Sequence, residues 1–227
     1  MTPQAILLAT NNAKKARELQ ELSEGSARVL TLKDVGLDGI DVVEDAPDFR
    51  GNCHKKATEI RAALAGKGGG DDIDVIIADD SGLCVDAVDG RPGVRSARFA
   101  VDAGYCPPGV SADDKDARNN RLLLALLGGL PVAHRRAHFH CHVCAVPGPK
   151  RADAPPLDAT GALNGIIATE SRGDHGFGYD PIFVVKDDGA APGVDGRHLA
   201  ELDASTKHAI SHRGRAMRAL LAQLAAR

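Results

Sequence analysis

The chain of 227 residues contains no tryptophan, and only 3% of it is aromatic. That leaves little material for the stacking platforms used by single-strand nucleic-acid binders. An excess of one charge sign is missing too. Twenty-eight Lys and Arg stand against 31 Asp and Glu, a formal net charge of -3. This argues against a broad nucleic-acid or membrane-binding surface, while a local cluster of cations remains open to a small phosphate ligand. No long apolar run opens the chain: "MTPQAILLATNNAKK" holds a five-residue apolar stretch with no positive segment before it. That is too short for a signal peptide or a membrane span. The expectation is a cytoplasmic protein whose five cysteines are reduced thiols. There is no internal repeat and no linker, so 1–227 is read as one domain with an ordinary globular balance of 43% hydrophobic and 26% charged residues.

What is present alternates between strand and helix patterns. "AILLA" (5–9) predicts a buried strand running into a helix with Ala13, Ala16, Leu19 and Leu22 at helical spacing, capped by Asn11 or Asn12 and stopped at Gly25. "FRGNCHKKATEIRAALAG" predicts a second helix with Cys53, Ala57, Ile60 and Leu64 as its apolar stripe, and Asn52 and Lys56 side by side next to it. "DVIIADDSGLCV" predicts a buried strand over Val75–Ala78 that ends in Asp79 and Asp80. Ser111 and Asp114 form a capping-box pattern ahead of "RLLLALL", and "AHFHCHVCAV" alternates as a strand. Further strands are expected around "ALNGIIA" and at "PIFVV" (181–185), then one long closing helix with Ile210, Met217, Leu220, Leu221 and Leu224 in its core stripe. Early strand–helix alternation followed by clustered strands points to a mixed α/β sheet.

Six stretches carry candidate chemistry. "TNNAKK" lies at a strand-to-helix junction, where exposed amides and the helix dipole favour an anion. It lacks the glycines and the Lys-Ser/Thr ending of a P-loop, and taken alone it reads as asparagine capping beside surface lysines. Glu44 and Asp45 form an acidic pair after Val42 and Val43, and Asp79 and Asp80 form another. Oxygen donors of this kind suit Mg²⁺, although solvated acidic turns have the same sequence. "SRGDHGFGYDPIF" places three glycines around Phe177 and Tyr179, either as a loop that meets a flat ligand or as a hairpin returning Phe177 to the core. "STKHAISHRGRAM" brings Lys207, His212 and Arg213 together, although one ideal helix does not put all three on one face. "HFHCHVC" sets His138, His140, His142 and Cys144 on one face of a strand, too nearly in line to wrap a tetrahedral ion unaided. It is read as a strand.

Taken together and in order, "TNNAKK", "EDAPDFRGNCHKKA", "DDSGLCVDAVDGRPGVRSARFA", "GFGYDPIF" and "KHAISHRGRA" closely resemble the non-canonical purine nucleoside triphosphate pyrophosphatases, the inosine/xanthosine triphosphate family. The resemblance covers nearly the whole chain. It implies an elongated mixed α/β sheet flanked by helices, two lobes around a central substrate cleft, and a homodimer. It also implies Mg²⁺-dependent hydrolysis of ITP, dITP and XTP to the monophosphate and pyrophosphate, with no nucleic-acid or membrane partner. By the same resemblance Asp80 is the proton acceptor for the attacking water, and Glu44 and Asp80 bind Mg²⁺. Asp79 is a further metal ligand or a structural acceptor. Thr10, Asn11, Asn12, Ala13, Lys14 and Lys15 hold the phosphates with Lys56, and Ser81 contacts substrate. Phe177, Gly178, Tyr179 and Asp180 form the base-side loop with Phe177 stacking, and Lys207, His212 and Arg213 complete the pocket, the last two near the 6-keto edge. The alternatives are a pyrophosphatase for other modified or ordinary nucleotides and a non-catalytic nucleotide sensor.

Overall fold

The computed structural model describes residues 4–11, 13–23, 27–151, 153–186 and 192–226, with the side chains of 13–15 and 18 outside that set. Its strands are β1 (Ala5–Leu8), β2 (Arg28–Leu30), β3 (Val75–Val85), β4 (Arg136–Pro147), β5 (Leu157–Ile167) and β6 (Phe183–Val185). Its α-helices are α1 (Ala13–Leu22), α2 (Phe49–Gly66), α3 (Phe99–Asp102), α4 (Lys115–Leu126), α5 (Ala204–Ile210) and α6 (His212–Ala225). The strands form one sheet in the order β2-β1-β3-β4-β5-β6. β1 pairs in parallel with both β2 and β3, and β5 pairs antiparallel with β6, so the sheet is mixed as expected.

By internal packing the chain divides into two compact units, 1–80 with 141–161 and 215–227, and 81–140 with 162–214. In the first unit β1 and β3 are buried on both faces, which is why they read as unbroken apolar runs rather than alternating ones. Leu7 and Ile76 join the stripe of α2 (Cys53, Ala57, Ile60 and Leu64) in one core. Ile6, Leu8, Val75 and Ile77 join Met217, Leu220 and Leu224 of α6 in another. Each fully buried Ile or Leu contributes about 1.5–3 kcal/mol relative to exposure, so these stripes dominate the placement of both helices. Asp48 caps α2, its Oδ1 accepting from Gly51 N at 2.6 Å.

The second unit is built on Leu83, Val85, Leu123, Leu127, Ile167, Ile182 and Phe183. Phe139 packs on Phe183 with ring centroids 4.7 Å apart. Gly165 on β5 allows this pairing with β6, because a Cβ there would overlap the Phe183 ring and the Val184 carbonyl.

Local expectations fail in four places. β3 does not end at Asp79 and Asp80 but runs on through Ser81 and Gly82 to Val85, since Leu83 and Val85 are themselves fully buried. α4 starts at Lys115 and is capped by Asp114, whose Oδ1 accepts from Ala117 N at 2.9 Å; Ser111 sits in the turn before it. The closing helix is two helices, because Ser211 takes an extended backbone (φ -61°, ψ 138°) and its Oγ accepts from Gly214 N at 2.9 Å. Residues 180–182 of the "PIFVV" region form a short 3₁₀ turn, which leaves only Phe183–Val185 as strand. The expected stop of α1 at Gly25 lies outside the described residues.

Candidate active site

In the first unit, the mid-strand position of Asp79 and Asp80 buries both carboxylates, which are 5% and 8% exposed. Neighbouring strand residues point to opposite faces, so the two are held by different surroundings. Asp80 Oδ2 accepts from Asn52 Nδ2 at 2.9 Å. The Asn52 Oδ1 in turn accepts from Ala46 N at 2.9 Å, which fixes the orientation of the amide. One turn along α2, Lys56 Nζ donates to the Asp79 carbonyl at 2.9 Å and forms an ion pair with the Glu44 carboxylate. Burial presses the Lys56 ammonium toward neutrality, but the Glu44 hydrogen bond and the charges of Asp79, Glu44 and Asp80 outweigh it and hold its pKa above the ordinary lysine value. Asp45 turns elsewhere, pairing with Lys55 at 2.6 Å. The acidic pair read from the sequence therefore separates, and only Glu44 joins the group.

Glu44, Asp79 and Asp80 offer oxygen donors only, the chemistry a hard divalent cation takes. Lys56 already places a positive charge among them. Among the described residues these three do not converge as a closed three-ligand cage. Mg²⁺ needs only one or two carboxylates when waters and substrate phosphates complete its shell, so the residues fit it.

The phosphate segment is described in part. Thr10 follows β1, with its N donating to Leu8 O at 2.7 Å, and Asn11 Nδ2 donates to Asp38 O at 2.9 Å. Asn12 and the side chains of Ala13, Lys14 and Lys15 lie outside the described residues, while the backbone of α1 starts at Ala13 as the junction predicts.

In the second unit, the loop 173–180 is pinned from several sides. Asp180 is buried, and its Oδ2 accepts from Lys207 Nζ at 2.8 Å and from Phe177 N at 3.3 Å. Burial raises the Asp180 pKa, and the Lys207 charge offsets that only partly. Lys207 Nζ also donates to His175 O at 3.2 Å. Gly178 N donates to Asp116 Oδ2 at 2.7 Å, and its carbonyl accepts from Asn120 Nδ2 at 3.0 Å. Tyr179 is buried, donates its hydroxyl to Ser96 O at 3.0 Å, and has a pKa raised first by burial and then by Asp116. Gly176 has φ +94°, and a Cβ there would overlap both the Asp180 carboxylate and the Lys207 ammonium, so only glycine fits. With its neighbours held, Phe177 projects outward at 74% exposure. Within the predicted base-side loop, then, Phe177 is presented while Tyr179 and Asp180 hold the backbone that presents it.

Arg213 Nη2 lies 3.4 Å from Ser81 Oγ. The His212 ring stacks on Phe139 with centroids 5.1 Å apart and planes 12° apart, which fixes its orientation. The break at Ser211 resolves the face problem, since Lys207 belongs to α5 whereas His212 and Arg213 open α6. A hollow of about 380 Å³ beside the loop is lined by Asp114, Asp116, Asp174 and Arg121 among others, an acidic wall unsuited to a triphosphate.

Sequence reasoning placed Asn52 beside Lys56 but gave it no role, and it missed Asp116 and Asn120. Asn52 stands four residues before Lys56, and Asp116 four before Asn120, so each pair shares a helix face. That spacing is the only trace of them in the sequence, because the partners of Asn52 and Asn120 lie 28 and 58 residues away.

Comparison with known proteins extends this over the whole chain. The profile of the Ham1 family matches residues 6–223. A protein of Clostridium perfringens named dITP/XTP pyrophosphatase is 39% identical over 216 residues, 95% of this chain and 94% of that one. Another of the same name, from Aromatoleum aromaticum, is 42% identical over 220 residues, covering 96% of each. The solved Ham1 protein of Staphylococcus aureus superposes with a TM-score of 0.77 at 31% identity, covering 98% of this chain and 99% of that one. A Ham1 protein from Coxiella burnetii also gives 0.77, at 33% identity, covering 99% and 100%. The chain belongs to the Ham1 family.

Proposed function

We propose that this protein hydrolyses purine nucleoside triphosphates with non-standard bases, dITP, XTP and ITP, to the monophosphate and pyrophosphate with Mg²⁺ as cofactor. The observation that carries the reading is the buried Asp80, oriented by Asn52 beside the Lys56–Glu44 pair. A buried carboxylate held by an amide that is itself held is a pre-set proton acceptor, and Lys56 supplies a fixed positive charge for an anionic substrate.

The uncatalysed reaction is slow because the negative phosphates repel an attacking water. Lys56 and the amides at the start of α1 offset that charge, and Lys14 and Lys15 are assigned to the same task. Mg²⁺, held by Glu44 and Asp80, would add charge neutralisation and make water more acidic. Asp80 accepts the proton of the attacking water as the bond to the α-phosphorus forms and pyrophosphate leaves. In the second unit Arg213 and His212 offer donors for a 6-keto oxygen, where adenine carries an amino group. A polar reader of this kind rejects the wrong pattern far better than an apolar pocket does. Homodimer assembly and a cytoplasmic location are part of the same proposal, the first resting on the family resemblance. No helix among the described residues is long and apolar enough to cross a membrane.

The test is pyrophosphate release from dITP, XTP, ITP, GTP and ATP, with Mg²⁺ and then with EDTA, following orthophosphate in parallel. Metal-dependent pyrophosphate from the first three is the expected result. Release from all five would remove the base preference, and tight dITP binding without turnover would mark a sensor.

Phe177→Ala tests the loop separately. Base–aromatic stacking contributes about 1–3 kcal/mol, so KM is expected to rise roughly tenfold. Phe177 is 74% exposed, so the melting temperature should not move. An unchanged KM would remove Phe177 from the pocket.

A further inference from the structure

We infer that His54, His142 and Asp158 form a second metal site, for a divalent cation of the zinc class, separate from the Mg²⁺ carboxylates. The three come from α2, β4 and β5 of the first unit. His54 Nε2 lies 2.6 Å and His142 Nε2 2.7 Å from the same oxygen, Asp158 Oδ1. One ligand atom from each lies within 4.8 Å of the others. Their side chains are 22%, 9% and 27% exposed, so the cluster is screened from bulk water yet reachable.

The donor set decides the class of ion. Two imidazoles and one carboxylate suit zinc and its first-row neighbours, whereas Mg²⁺ prefers near-octahedral oxygen. Zinc takes nitrogen at about 2.0–2.1 Å and carboxylate oxygen at about 2.0–2.2 Å, which sets tetrahedral ligand atoms roughly 3.3 Å apart. The nitrogen–oxygen separations are now hydrogen-bonding ones, so the ring nitrogens draw back by about half an ångström to admit the ion. The Nε2 protons leave on binding, either to solvent or by a tautomer change to Nδ1. Three protein ligands leave a fourth position for water.

The surroundings hold the carboxylate in place. Arg50 Nη2 lies 3.3 Å from Asp158 Oδ2, and Gln223 Nε2 donates to the Asp158 carbonyl at 3.0 Å. The guanidinium orients the second oxygen but repels a cation, which points to modest affinity rather than the tightest zinc binding. Burial presses the Asp158 pKa up, but the His142 and His54 hydrogen bonds together with the His54 and Arg50 charges outweigh it and hold it below the ordinary carboxylate value.

α2 connects this cluster to the candidate active site. Arg50 and His54, four residues apart, reach Asp158 from one face of the helix. Asn52 and Lys56, also four apart, reach Asp80 and Glu44 from another. An ion at His54 would brace the helix that positions both. The histidine-rich strand β4 is thus no metal site on its own: among the described residues, His142 alone of it joins such a group.

The test is titration of the purified full chain with Co²⁺ and Zn²⁺ under saturating Mg²⁺, which occupies the oxygen site. One equivalent of Co²⁺ giving visible d–d bands of a low-coordinate nitrogen and oxygen site is expected, with Zn²⁺ displacing it and raising the melting temperature. His142→Gln, His54→Gln and Asp158→Asn should each weaken Co²⁺ binding at least about 100-fold, since even outer-shell changes cost 10–100-fold. Circular dichroism without metal reports whether each variant folds, and His54, the less buried histidine, keeps the test alive if His142→Gln does not. A thiolate-to-cobalt charge-transfer band would put the ion on the neighbouring thiols Cys53 and Cys144 and overturn the assignment. No uptake, or uptake unchanged in the folded variants, would overturn it as well.

Discussion

Replacing Asp80 by asparagine is expected to lower kcat by on the order of 10³-fold, the scale of a lost general base, while dITP still binds. Asparagine keeps the shape of the side chain and presents a carbonyl oxygen to Asn52, so the bond now made at 2.9 Å has a replacement acceptor. It cannot take a proton from water, and it removes one negative charge beside Asp79. Both carboxylates are nearly inaccessible, so the melting temperature should hold or rise. Calorimetric binding of dITP to the variant and pyrophosphate release by it separate the two roles. Full activity in Asp80→Asn would remove Asp80 from the chemistry and the proposed mechanism with it.

Lys56→Met should affect both binding and stability. A charge-assisted hydrogen bond contributes about 1.5–3 kcal/mol, so loss of the ammonium is expected to raise KM for dITP by on the order of tenfold or more. Removing one partner of a buried pair costs about 3–5 kcal/mol, but the Glu44 side chain is 35% exposed and water recovers part of that. A loss of about 2 kcal/mol is the expected outcome. The pH dependence follows from the raised pKa of Lys56. A cation held above its unfolded value stabilises the fold fully below the ordinary 10.5, and that stability is lost as pH rises through the raised value. The stability gap between wild type and variant should therefore be constant at neutral and mildly alkaline pH and close only above about 10.5. Chemical denaturation at a series of pH values measures it. A gap that closes at neutral pH would contradict a charged, paired Lys56, and an unchanged KM would remove it from the phosphate group.

Local physics wrote much of this protein plainly. α2 runs over the residues its apolar period predicts, because Cys53, Ala57, Ile60 and Leu64 have one dry face to share. β1 and the start of β3 read as buried strands because both of their faces are covered. Glu44 and Asp80 were legible as members of acidic pairs, and their roles and that of Lys56 only by resemblance. Other features depended on contacts made far along the chain. Nothing local says that β3 continues past two aspartates, since only the core around Leu83 and Val85 makes it worthwhile to extend the strand through them. Nor does the sequence say that Glu44 turns to Lys56 while Asp45 turns to Lys55. The role of Asn52 and the meeting of His54 with Asp158, 104 residues later, are likewise decided in space. Amphipathic period, capping and turn chemistry act over a few residues and so survive in the linear order. A hydrogen bond that orients a carboxylate, or two rings that share an oxygen, carries no period. It exists only once packing brings distant segments within about 3 Å of one another.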